Sequence, residues 1–160
     1  MQAGGLPIFL LGKEPDMRVQ QCMSRDVKVA TPTQSIQDAA WMMEEIDCGF
    51  LPVGEDDRLV GMITDRDIAI RAVGQGKGPD TPVRDVMSKE VLYCFEDQDL
   101  AHVTKSMAEQ QVRRLPVLNR DKRLVGIVSL GDVALSDGNA KRTGDALSAI
   151  SQPGGNHGQS

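Results

Sequence analysis

"LVGMITDRD" spans residues 59–67 and "LVGIVSLGD" spans residues 124–132. Each is an apolar run interrupted by a glycine, then a hydroxyl residue, then an aspartate three positions further on. Working outward, an offset of 64 sets "CMSRDV" (22–27) over "VMSKEV" (86–91) and "FLPV" (50–53) over "RLPV" (114–117). One inserted residue near Arg123 changes the offset to 65. The unit of about 55–60 residues is too long for one solenoid repeat and has the size of a half-domain.

Both copies follow one plan. A short β-prone segment, "VKVAT" (27–31) or "VLYCF" (91–95), precedes a helix. Ile36, Ala39, Ala40 and Met43 recur at helical spacing in copy one, and Leu100, Val103 and Met107 in copy two, each set forming one apolar stripe. Thr33 and Asp97 stand where N-caps are expected, and the first helix ends near Gly49. "FLPV" and "LVGMI" read as two buried strands joined by the polar turn "GEDDR" (54–58). A second helix starts near Asp65 in copy one and near Leu130 in copy two. The predicted class is α/β (α+β), with β-α-β-β-α twice. Three short strands hide too little surface alone, so the two small sheets are expected to pack together as a pseudo-twofold pair with helices outside.

The totals agree with a compact aliphatic fold. In 160 residues there is one Trp, one Tyr and three Phe, so the core must be aliphatic and methionine-rich. A net charge of −5 disfavours a general nucleic-acid binder, which needs a cationic face to displace counterions. Cys22, Cys48 and Cys94 show no CxxC spacing, so reduced thiols and a cytoplasmic location are expected. "LPIFLL" (6–11) is too short to span a membrane, which takes about 20 residues. Residues 1–17 read as a flexible arm, 18–74 and 83–136 as the repeats, 75–82 as a flexible linker, and 137–160 as a largely disordered tail.

The tandem β-α-β-β-α order, the Pro-Val after the first helix and the Gly-apolar-apolar-[Ser/Thr]-x-x-Asp before the second resemble a pair of CBS domains, a Bateman module of the stand-alone bacterial type. The resemblance covers about residues 19–136, and two copies in matching positions make it specific. It implies a regulatory module that binds an adenine nucleotide and signals by a change of conformation or association. Homodimerisation and an unidentified protein effector are implied too. Met42, Met43 and Met107 with Trp41 offer apolar surface for a dimer, although Met43 and Met107 are expected to fill the core.

The chemistry supports a nucleotide independently. Thr64 and Ser129 stand where a strand gives way to a helix, and free N–H groups with the positive end of the helix dipole attract phosphate there. Asp67 and Asp132, one turn on, can accept from the paired hydroxyls of a ribose. The same pattern is also a capping box, in which hydroxyl and acid serve only the helix; both readings stand open here, the recurrence favouring the first. The resemblance further implies that Arg113 and Arg114 reach across the pseudo-twofold axis to the phosphate held at Thr64 and Asp67, and that backbone near Thr31 and Ile63 holds the purine. The other cleft, with Phe50, Val128, Ser129 and Asp132, has Gly49 and Phe50 in place of the arginines and is expected to bind more weakly. AMP is the first expectation, with ATP, ADP or NAD behind it.

Catalysis is not expected. His102 and His157 stand alone, no metal-ligand spacing occurs, and "GQGKG" (74–78) follows a helix and lacks the Ser/Thr that a phosphate-binding loop carries after its Lys. The alternative is a ligand-free scaffold whose T-x-x-D motifs only cap helices.

Overall fold

The computed structural model describes residues 17–136 and 140–153; "LPIFLL" and His157 lie outside them. In the first lobe, helix α1 (Ile36–Ile46) leads to strands β1 (Phe50–Glu55) and β2 (Arg58–Thr64), then a short helical turn α2 (Asp65–Asp67) that continues as a π-helix (Ile68–Ala72). In the second, β3 (Cys94–Phe95) precedes α3 (Leu100–Gln110), β4 (Arg114–Leu118), β5 (Leu124–Ser129) and α4 (Leu130–Ser136). A further helix, α5 (Ala140–Ile150), follows. This is the predicted mixed α+β architecture of two small sheets with helices.

Each lobe has its own aliphatic core. Ile36, Met43, Leu51, Val53 and Ile63 cluster in the first, and Leu100, Met107, Leu115, Val117 and Val128 in the second. Burial of each such side chain contributes about 1.5–3 kcal/mol, and the i, i+3, i+4 stripes on α1 and α3 are what deliver them. Strand alternation turns Phe50 and Met62 to the opposite face of the first sheet, yet they are only 3% and 1% exposed. Both faces of that sheet are therefore covered, as the expectation of sheets packed together requires.

The hairpins explain the change of repeat offset. Asp56 and Asp57 both have positive φ, 53° and 61°, which fits a two-residue turn matching the twist of β1 and β2. In the second lobe residues 119–123 connect the strands, and the Asn119 carboxamide oxygen accepts from the N–H groups of Asp121 and Arg123. The inserted residue falls in this longer loop.

The predicted first strands are shorter than expected. Of 27–31 only Ala30 bridges, in parallel, to Val53, and of 91–95 only Cys94 and Phe95 pair, in parallel, with β4. The N-caps are corrected as well. Ser35 caps α1, its hydroxyl oxygen accepting from Asp38 N–H at 3.0 Å, and Asp99 occupies the cap of α3. The shift by two has a cause: the Gln34 and Gln98 side chains accept from Thr31 and Phe95 N–H, both at 2.8 Å, and close a turn that delays each helix. Asp97 is diverted to a bidentate pair with Arg120, which holds its carboxyl below the usual range.

The segments ahead of each repeat cross over. Val19 and Met23 lie in the core of the second lobe, while Val83 and Val86 lie in the core of the first. Ser24 exchanges two backbone hydrogen bonds with Ile127 of β5, and Ser88 two with Met62 of β2. Gly126 and Gly61 make this approach possible, because a Cβ on either would fall 2.7–2.8 Å from the carbonyl oxygen of Ser24 or Ser88. The shared "MS" of the two leaders is thus a wedge, each fitted to the opposite lobe.

Two expectations about loose segments are revised. The linker is docked: Thr81 and Pro79 carbonyls accept from Ile36 and Gln37 N–H at the start of α1, as Met17 accepts from Leu100 at the start of α3. The region after residue 136, read as a largely disordered tail, contains α5. Ala146 and Ile150 of that helix are buried in the second core, and the Gln111 amide donates to the Ala149 carbonyl at 3.0 Å.

Candidate functional site

The strand-to-helix junctions after β2 and β5 are built alike. At the first, Thr64 Oγ1 accepts from Asp67 N–H at 3.0 Å and Asp67 Oδ2 accepts from Thr64 N–H at 3.0 Å. At the second, the same reciprocal pair joins Ser129 and Asp132 at 3.0 and 2.9 Å. The capping-box reading is therefore realised in both lobes. It uses one carboxylate oxygen of each aspartate and leaves the other for further work. In Asp67 that oxygen lies 3.8 Å from Arg71 Nε. Thr64 and Asp67 are buried, whereas Ser129 and Asp132 are half-buried, so the second junction is the more open.

The strand ends facing these junctions differ in charge. Asp65 N–H donates to the Gly49 carbonyl and Leu130 N–H to the Arg113 carbonyl, equivalent contacts in the two lobes. Phe50 pairs with Thr64 and Arg114 with Ser129. In the first lobe the space that a side chain at residue 49 would take is filled by the Asp65 carboxylate. In the second, that position is Arg113, followed by Arg114. An acid in one lobe thus stands where the other carries two guanidiniums.

Arg113, Arg114, Ser129, Leu130, Thr143 and Leu147 line a cavity of ≈ 350 Å³. The structure thereby brings the arginines beside Ser129 of their own lobe and beside α5, which sequence reasoning missed because α5 was read as tail. Thr64 and Asp67 lie together at the other junction and outside that cavity. Among the remaining predicted residues, Ile63 and Val128 are fully buried core side chains, so only their backbone can meet a ligand. Phe50 is buried against its sheet, and the Thr31 N–H is occupied by Gln34. Arg71 is exposed and also reaches the Val86 carbonyl and Ser88 hydroxyl at 3.3 and 3.4 Å.

Among the described residues no group of three or more His, Cys, Asp or Glu side chains is placed to hold a metal ion, and no helix is long and apolar enough to cross a membrane. Burial, with Cys22 beside it, pushes the Cys94 thiol up to about 12. In mildly alkaline solution Cys94 is therefore expected to stay protonated and to escape iodoacetamide in the folded protein. Peptide mass mapping before and after denaturation checks this; labelling of native Cys94 as fast as Cys48 would contradict it.

The comparisons with known proteins agree with this architecture. The family model described as CBS domain matches residues 19–74 and 83–136. The CBS domain-containing protein YhcV of Bacillus subtilis is 41% identical over 133 residues, covering 83% of this chain and 94% of that protein. Among solved structures, the CBS domain pair of protein MJ0100 in complex with 5′-methylthioadenosine and S-adenosyl-L-methionine superposes with a TM-score of 0.68 at 29% identity, covering 79% of this chain and 100% of that one. CBSX2 in complex with AMP gives a TM-score of 0.66 at 26% identity, covering 75% and 95%.

Proposed function

The chain belongs to the CBS-domain family as a tandem pair, and from that premise we propose that it is a regulatory module that binds an adenosine-derived ligand. The observation that carries this reading is the recurrence of the hydroxyl-x-x-aspartate junction in both lobes, together with neighbours whose structures hold AMP, or 5′-methylthioadenosine and S-adenosyl-L-methionine. AMP is the ligand of first choice, with ATP, ADP and NAD next, because the arginine pair suits a phosphate better than a sulfonium. Asp67 would accept from the ribose hydroxyls, Thr64 would donate to the phosphate, and Arg113 and Arg114 would neutralise it from the second lobe, with backbone near Thr31 and Ile63 holding the base. The opposite cleft, with Phe50, Val128, Ser129 and Asp132, has Gly49 and Phe50 at the positions equivalent to the arginines and would hold a phosphate more weakly.

In this reading the protein is cytoplasmic and not catalytic. It reports its ligand by changing how the cross-strapped lobes sit and what associates with them. A second chain or an effector would meet the first lobe, where Trp41, Ile70 and Val73 are 59%, 48% and 69% exposed. The reciprocal caps also satisfy the needs of a ligand-free scaffold, so that reading is kept as the alternative.

Calorimetry with AMP, ATP, NAD and S-adenosylmethionine separates the two. Binding of AMP that is abolished by Asp67→Ala is expected. Silence toward all four ligands would leave the scaffold. If Asp132→Ala abolishes AMP binding while Asp67→Ala spares it, the arginines serve their own lobe and the cross-axis site is wrong.

A further inference from the structure

Residues 58–60 at the start of β2, the segment 89–93 that crosses between the lobes, and Leu118 and Lys122 of the second hairpin enclose a cavity of ≈ 270 Å³. It contains none of the residues assigned above to the nucleotide. Arg58, Lys89 and Lys122 stand around it, and no acid is among the side chains that line it. Among the described residues none of the three cations has an ion-pair partner. The rest of the lining is apolar or aromatic: Leu59, Val60, Val91, Leu118 and Tyr93.

The two lobes differ at the positions that line this cavity. At the equivalent place in the first lobe, Gly54 follows the β-bulge, and Val29 lies so close that a Cβ on Gly54 would meet its Cγ1 at 2.8 Å. In the second lobe Leu118 takes the position of Gly54 and Tyr93 that of Val29. The leucine occupies the space that Val29 enters, and Tyr93 stands edge-on to Phe95 with ring centroids 5.7 Å apart. An apolar recess is left open.

Charge follows the same asymmetry. Arg123, the counterpart of Arg58, is engaged by Asp57 at 3.6 Å and by the Asp56 carbonyl at 2.8 Å. Lys122 replaces Asp57 in the second hairpin, with nearly the same φ, 60° against 61°. An acid that neutralises one side has become a cation on the other. Three unpaired cations around an apolar recess raise the local concentration of anions, and the recess excludes water from one side of a ring.

We propose that this cavity binds a small organic anion: one aromatic ring carrying a phosphate or comparable dianion, with the ring against Val60, Val91 and Tyr93 and the charge among Arg58, Lys89 and Lys122. Its volume of ≈ 270 Å³, just below the about 300–1,000 Å³ typical of ligand sites, favours a single ring over a dinucleotide. The proposal does not depend on the nucleotide reading, since the two share no residue.

The test is titration of isotope-labelled protein with phenyl phosphate, followed by amide shifts, with benzyl alcohol and inorganic phosphate as comparators. Phenyl phosphate is expected to shift Val60, Val91 and Leu118 saturably and to bind more tightly than either comparator. Lys122→Asp, which restores the acid found in the first lobe, is expected to weaken it at least roughly tenfold, and Lys89→Ala to weaken it as well. Absence of saturable shifts at millimolar probe, affinity unmoved by Lys122→Asp, or equal binding of inorganic phosphate would each overturn the proposal.

Discussion

Gly126→Ala is expected to destabilise the folded chain by about 2–4 kcal/mol, a large loss for so small a change. The added methyl would sit 2.7 Å from the Ser24 carbonyl oxygen and 2.7 Å from Met23 Sδ. A methionine can yield, but the carbonyl belongs to a backbone held by two hydrogen bonds to Ile127, at 2.8 and 2.9 Å. Relief means lifting residues 23 and 24 off β5, which strains the pair of bonds and draws Met23 and Val19 from the second core. Overpacking costs about 1–3 kcal/mol and the two bonds about 1 kcal/mol each; the reduced freedom of the unfolded chain returns up to about 1 kcal/mol. Urea unfolding followed by circular dichroism should show the midpoint falling with the slope retained. Gly61→Ala should behave alike, for the Ser88 carbonyl stands 2.8 Å from its would-be Cβ. Gly78→Ala, whose added Cβ would meet nothing within 4 Å, is the control and should change stability by less than about 0.5 kcal/mol. A small effect at Gly126 would mean that the leader is not wedged there.

Replacing Arg113 and Arg114 together by alanine is expected to weaken AMP by about 2–4 kcal/mol, roughly 30- to 1,000-fold. Adenosine, which lacks the phosphate, should lose far less. The contrast between the two ligands is what gives the measurement force, since a general distortion would penalise both. Salt sharpens it further: AMP affinity should fall with ionic strength in the parent and much less in the double variant. Equal losses for AMP and adenosine would remove the phosphate role from these residues. Because Arg114 pairs in register with Ser129 on β4 and β5, circular dichroism of the variant must first show the sheet intact.

The repeat was legible because it is written in residue types with few substitutes: a glycine where a backbone passes, a Pro-Val in a buried strand, a hydroxyl and an acid at a helix start. Those features predicted the lobes, the element order and both junctions. The N-cap positions were misplaced because Thr33 and Asp97 are good caps in isolation, and the glutamines that close the preceding turns give no cap-like signal. Helix α5 was missed for a different reason. Gly144 and five polar residues dilute it, although Thr143, Ala146, Leu147 and Ile150 keep helical spacing and Ala146 and Ile150 are buried. The crossing of the leaders could not be read at all. Local sequence fixes that "CMSRDV" makes a turn and a short extended stretch, but which sheet it joins is decided by tertiary packing.

That crossing has a consequence for how the molecule could come apart. A protease cutting the connector near Gly76 would leave two fragments, each still holding a tongue of chain lodged in the other's interior. Separation would require both tongues to withdraw, so the nicked protein should persist as a two-piece complex rather than release independent modules.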